Sequence, residues 1–135
     1  MVMIEFVIPG IPRTIQTKSP KSRDDWKEKV KTAARATSIN DNFIGEKPFS
    51  ASIVYFFEGE TQLDVDGIGK LLLDSLIGIL YDDDSQAEQV LLRKTRKEGL
   101  TILNPPLKLV EALEEFPNFV FVKFGDGPKH EELPQ

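Results

Sequence analysis

Two groups of carboxylates, held apart by one apolar segment of helical period, constrain this chain more than any other feature. The stretch QLDVDGIGKLLLDSLIGILYDDDSQ, Gln62 to Gln86, opens on Asp64 and Asp66 and closes on the consecutive aspartates Asp82, Asp83 and Asp84. Between them Ile68, Leu71, Leu72, Leu76, Ile79 and Leu80 recur at i, i+3, i+4 spacing, which predicts a helix with one buried face. A helix long enough to join the acidic ends keeps them apart if it stands alone. They meet only if the loop after the helix folds back, or if an adjacent strand begins beside Asp64.

The rest of the chain reads as a single α/β (α+β) domain over residues 1–124, with 125–135 as a disordered tail. At 135 residues, 40% of them hydrophobic and nine of them Phe, it can bury a core without staples. It has no cysteine, which excludes disulfides, thiolate metal sites and cysteine nucleophiles. No apolar run reaches the length of a membrane span, and the short N-terminal run contains Glu5, so a soluble cytoplasmic protein is expected.

Val2 to Ile8 predicts a strand ended by Pro9 and Gly10. Ser22 is expected to cap a helix to about Ser38, with Asp24 and Asp25 in its first turn and Trp26, Val30, Ala33 and Ala34 near one face. Phe49 to Phe57 (FSASIVYFF) has the branched and aromatic density of a central strand. Glu88 to Glu98 predicts a strand with Val90, Leu92, Lys94 and Arg96 on one face and Arg93 and Lys97 on the other. Asn104 is expected to cap a helix begun by Pro105 and Pro106, and Phe119 to Phe124 predicts a last strand.

The net charge of −5 argues mildly against a polyanionic partner, but base and acid are segregated. Lys18 to Arg35 and Arg93 to Lys97 are rich in lysine and arginine, while acid concentrates at Asp82 to Asp84, Glu111 to Glu115 and the tail. A divalent cation on the acidic loop would leave the basic stretches to face phosphate.

In an extended segment Asp64 and Asp66 point the same way, and Asp66 also suits a helix N-cap. Asp66, Lys70 and Asp74 stand four apart on one helical side. Gathered carboxylates repel unless a cation or protonation offsets them, and oxygen-only ligands suit a hard ion such as magnesium or manganese. Such ions activate water and stabilise the attacking and leaving oxygens of a phosphodiester, and Lys70 could hold a phosphate. Blander readings stand beside this one. A calcium loop placing Asp64 and Asp66 at its third and fifth positions puts Leu73 where glutamate is required, so that reading fails. The aspartate triplet alone would most often be a surface turn, and the single histidine, His130, falls in the expected tail.

A D-x-D pair, a lysine four residues after the second Asp, an aspartate four further on, a short hydrophobic helix and then D-D-x-Q resemble the RusA family of Holliday-junction resolvases. Here these are Asp64, Asp66, Lys70, Asp74 and Asp83-Asp84-Ser85-Gln86. The resemblance implies a small mixed sheet of about four strands flanked by helices. It also implies a magnesium-dependent (manganese being possible) homodimeric endonuclease without organic cofactor, nicking opposed strands of four-way DNA in recombination and repair. Residue by residue, it implies that Asp64, Asp66 and Asp84 bind metal with Asp83 assisting, that Lys70 is essential, and that Lys94 contacts DNA. The basic stretches add Arg93, Arg96 and Lys18 as further candidates to face DNA. The chain departs from the family at Gly67, where an asparagine is usual, and in the helix from Pro105 to Phe116, which looks like an addition. A phosphodiesterase for other branched DNA and a non-catalytic DNA-binding module on the same fold are the alternatives.

Overall fold

The computed structural model describes residues 3–37 and 44–127. Strand β1 (Met3–Pro9) buries Ile4, Phe6 and Ile8 on alternate positions, as a one-sided strand must. Helix α1 (Pro20–Thr37) buries Trp26, Val30 and Ala34 in one stripe. Its start lies earlier than Ser22. Proline fits the first helical position, and the Ser19 hydroxyl just before it accepts the Ser22 N–H at 3.2 Å, so Ser19 caps the helix. Asp24 and Asp25 consequently fall beyond the first turn, where Asp25 pairs with Lys21 instead.

Strand β2 (Phe49–Phe57), helix α2 (Val65–Ser75) and strand β3 (Ala87–Arg96) form a crossover unit, because β2 and β3 run parallel and a parallel pair needs a helix-length connection. Helix α3 (Leu107–Glu115) precedes strand β4 (Phe119–Asp126). The sheet order is β1-β4-β2-β3, with β4 antiparallel to both β1 and β2, giving the expected mixed four-stranded sheet with β2 inside it.

Alternation along the inner strands separates two cores. Tyr55 and Phe57 of β2 and Val120, Val122 and Phe124 of β4 face α1 and α2, while Phe56, Phe119 and Phe121 face Leu109 and Ala112 of α3. On the larger side, Phe124 lies 5.5 Å from Phe49 and 6.0 Å from Tyr81, ring to ring.

Three expected boundaries move. The apolar period continues through Leu80, yet α2 stops at Ser75, because Gly78 adopts φ +83° and turns the chain while Leu80 still reaches the core. Asn104 does not cap α3: it sits at φ 50°, and Pro106 takes the N-cap place without a side-chain bond. Strand β4 runs on through Gly125 and Asp126, which pair with Ser50 and Phe49, so these residues are sheet and not tail. The remainder of the expected tail, with His130, lies outside the described residues.

Replacing Phe124 by alanine removes the ring shared by Phe6, Phe49 and Tyr81. Urea unfolding is expected to show a loss of about 3–5 kcal/mol, the usual cost of truncating a buried aromatic. A loss below about 1 kcal/mol would mean this cluster is not the structural core.

Candidate active site

The β2–α2 connection places the first acidic pair. Asp64 occupies the position before α2 in extended conformation (φ −82°, ψ 124°), and Asp66 lies within the first turn. Asp64, and not Asp66, is therefore the N-cap residue, yet its side chain makes no capping bond. Both residues are exposed, and among the described residues neither carboxylate has a hydrogen-bond or ion-pair partner. The positive end of the α2 dipole favours negative charge at this place.

Lys70, one turn further on, leans away from Asp66. Its Nζ lies 3.3 Å from Asp74 Oδ1 and 3.2 Å from Asp84 Oδ2. The second contact closes a separation of fourteen residues, so the loop after α2 does fold back toward the helix. Hydrogen bonding to Asp84, then to Asp74, with their charges adding, raises the Lys70 pKa above its ordinary value. The ammonium persists at neutral pH.

Two side chains hold the acidic loop in this place. Tyr81 packs its ring 4.5 Å from Phe49 and donates its hydroxyl to the Leu73 carbonyl near the end of α2. Burial, with the negative charges of Asp84, Asp74 and Asp83, pushes the phenol far above its ordinary pKa, so it remains a donor. Gln86 satisfies both ends of its carboxamide. Its Oε1 accepts from the N–H groups of Asp82 (2.9 Å) and Asp83 (2.8 Å), and its Nε2 donates to the carbonyls of Gly45 and Lys47, both at 2.8 Å. Asp83 caps the short 3-10 turn Asp84–Gln86 through bonds to Ser85, which hold its carboxyl below the usual range.

Lys70, Asp74 and Asp84 thus form one cluster, and Asp64 and Asp66 stand at the start of the same helix. Among the described residues no three histidine, aspartate or glutamate side chains converge closely enough to hold a metal ion. The donor chemistry nonetheless suits a hard cation. The candidate ligands are all carboxylate oxygens, two of them lack any partner, and Asp84 already draws a cationic group to itself.

The expected DNA-facing bases divide. Lys94 donates to the Leu63 carbonyl at 2.8 Å, and Arg96 pairs with Glu60 at 3.2 Å while lying over the Phe57 ring. Both therefore steady the connection that delivers Asp64. Arg93 stands in register with Val54, whose side chain joins the α3 core, and so belongs to the opposite side of the sheet from Lys94. Lys18 is exposed in the loop before α1.

Sequence reasoning missed the contact of that loop with α2. The Ile15 N–H donates to the Gly67 carbonyl at 3.2 Å. A Cβ at position 67 would collide with Gln16 Oε1 and lie 2.9 Å from Thr14 Cβ, so the loop packs where a larger residue would put its side chain. The only sequence signal was the glycine itself, one residue after Asp66.

Residues 10–103 match the model of the endodeoxyribonuclease RusA family. This chain belongs to that family. The match runs from the loop after β1 through β3 and stops before α3. No curated protein matches the chain.

Gln86→Ala deletes four hydrogen bonds at once. The expected result is a stability loss on the order of 1–3 kcal/mol in denaturant titration, because carbonyls and N–H groups lose partners. Amide exchange should accelerate selectively at Asp82 and Asp83. Unchanged protection at both amides would show that Gln86 does not hold the loop.

Proposed function

We propose that this RusA-family protein is a magnesium-dependent endonuclease that resolves four-way DNA junctions by paired phosphodiester hydrolysis, acting as a homodimer in recombination and repair. Family membership supports the nuclease class, and the return of Asp84 to the Lys70 side of α2 is the observation that carries the assignment of the site. A two-fold substrate suits a two-fold enzyme, since two identical sites then cut opposed strands.

In this reading Asp64, Asp66 and Asp84 are the residues that would hold the ion, with Asp83 beside them, and they would have to draw closer than they stand here, where no three such side chains converge among the described residues. When bound, magnesium supplies charge stabilisation and water activation for phosphodiester hydrolysis. The chain's own groups prepare the reaction. Lys70 is protonated at working pH, so it serves as an electrostatic clamp on a phosphate oxygen and not as a general base. Its ties to Asp74 and Asp84 aim the ammonium before substrate arrives. Asp64 and Asp66 sit at the start of α2, where the helix dipole favours an anion. Lys94 and Arg96 fix the 58–64 connection and set the position of Asp64. Lys18 is left as an exposed charge for the DNA backbone, whereas Arg93 stands on the α3 side of the sheet, away from the aspartates.

A synthetic immobile junction tests the reading. Wild type with magnesium should give paired nicks near the branch point, and chelation should stop them. Asp64→Asn, Asp66→Asn and Asp84→Asn should each cut at least a hundredfold more slowly while binding the junction as well or better, because carboxylate–phosphate repulsion is relieved. Magnesium alone should raise the Tm of wild type, by about 2.7 kcal/mol of stabilisation at a hundred times its Kd, and should fail to do so in the three variants. Wild-type cutting rates in these variants would put the site elsewhere.

Lys70→Ala should lose cutting without loss of fold, since the side chain is exposed and its pairs are surface pairs. A Tm within a degree or two of wild type, together with lost cleavage, is the expected pair of results.

A further inference from the structure

The turn Thr14–Thr17 is fixed far more firmly than a loop with such exposed side chains requires. The buried Thr14 accepts the Gln16 N–H on its hydroxyl at 3.2 Å, and its own N–H donates to the Thr17 hydroxyl at 3.0 Å. The Thr17 N–H donates back to the Thr14 carbonyl at 3.0 Å, and Arg23 of α1 donates to the Thr17 carbonyl. Ile15 ties the whole turn to Gly67 through the backbone. What this bracing holds in place is Gln16, whose Oε1 lies over Gly67 in the first turns of α2, next along the chain from Asp66.

Gln16 is exposed, and its carboxamide has no hydrogen-bond partner among the described residues. A glutamine in solvent normally swings freely. Here the backbone on which it stands is pinned from both sides, while the carboxamide itself makes no hydrogen bond among the described residues. It presents neutral donors and an acceptor together over Gly67, the residue next along the chain from Asp66.

We infer that Gln16 is a specificity-determining residue, whose carboxamide reads a base edge of the nucleotide next to the scissile phosphate. The inference rests on the nuclease reading given above. A neutral amide carrying both donor and acceptor matches a base edge, as glutamine does bidentately with adenine, whereas a phosphate oxygen needs donors alone and Lys70 already supplies them. Seating on Gly67 limits the amide to one approach, and that converts contact into selection.

The experiment uses the full chain and a set of immobile junctions in which the base pairs flanking the branch point are varied. Wild type and Gln16→Ala are compared with magnesium, by cut-site distribution and by KM and kcat for each sequence. Wild type should favour some flanking bases, and Gln16→Ala should flatten that preference by about tenfold while leaving kcat on the least favoured sequences unchanged. Gln16→Glu, which keeps the length but loses the amide donors, should shift the preference toward different bases. Tm of both variants should equal that of wild type, since the side chain is exposed and unbonded. Equal distributions for wild type and Gln16→Ala, or a loss uniform over all sequences, would overturn the inference and leave the nuclease reading standing. A wild-type protein that cuts no junction would instead overturn the nuclease reading.

Discussion

The burial of Tyr81 in the main core is the interaction on which the acidic end depends. Asp74, Asp82, Asp83 and Asp84 lie within eleven residues of one another, and their mutual repulsion opposes any chain path that gathers them. Surface ion pairs such as those of Lys70 contribute at most about 1 kcal/mol each, which is too little to force the reversal. A buried aromatic ring contributes several times as much, on the scale of about 3–5 kcal/mol on truncation. Packing against Phe49 and Phe124 therefore decides where the chain turns, and the charges follow.

Once the turn is set, neutral hydrogen bonding shapes it. Gln86 ties the loop to Gly45 and Lys47 on one side and to Asp82 and Asp83 on the other, without adding charge to a place already crowded with it. Lys70 then bridges Asp74 of its own helix and Asp84 of the loop. At the other end of α2 the same division of labour recurs. Lys94 and Arg96 hold the approach to Asp64, so the first acidic pair stands exposed on a steadied connection.

Much of this was legible in the residues, and the reasons differ from place to place. The strand Phe49–Phe57 and the stripe Trp26, Val30, Ala34 declare themselves because burial imposes a period on sequence. The helix end at Ser75 did not, since Leu76 and Leu80 continue the apolar spacing after the backbone has left the helix, and only the positive φ of Gly78 reveals the break. The caps at Ser19 and Asp64 were misplaced by a few residues because several polar residues in each stretch could serve, and geometry chooses among them. The need visible in the sequence was for the two acidic ends to meet; the loop does fold back, but Asp84 lands on Lys70, and no three carboxylates converge among the described residues. That Lys94 reaches Leu63, or that Gln16 lies over Gly67, was not foreseeable: such contacts join segments whose separation in sequence carries no pattern.

The sheet divides the molecule into two chemically separate halves. Odd and even positions of β4 serve different cores, so a side chain at Phe121 and one at Val122 answer to different neighbours although they adjoin in the chain. The two halves are joined all the same through the strands they share: Phe56, Phe119 and Phe121 need α3 above them to stay out of water, and they lie on the same β2 and β4 that carry Tyr55 and Val122 toward α1 and α2.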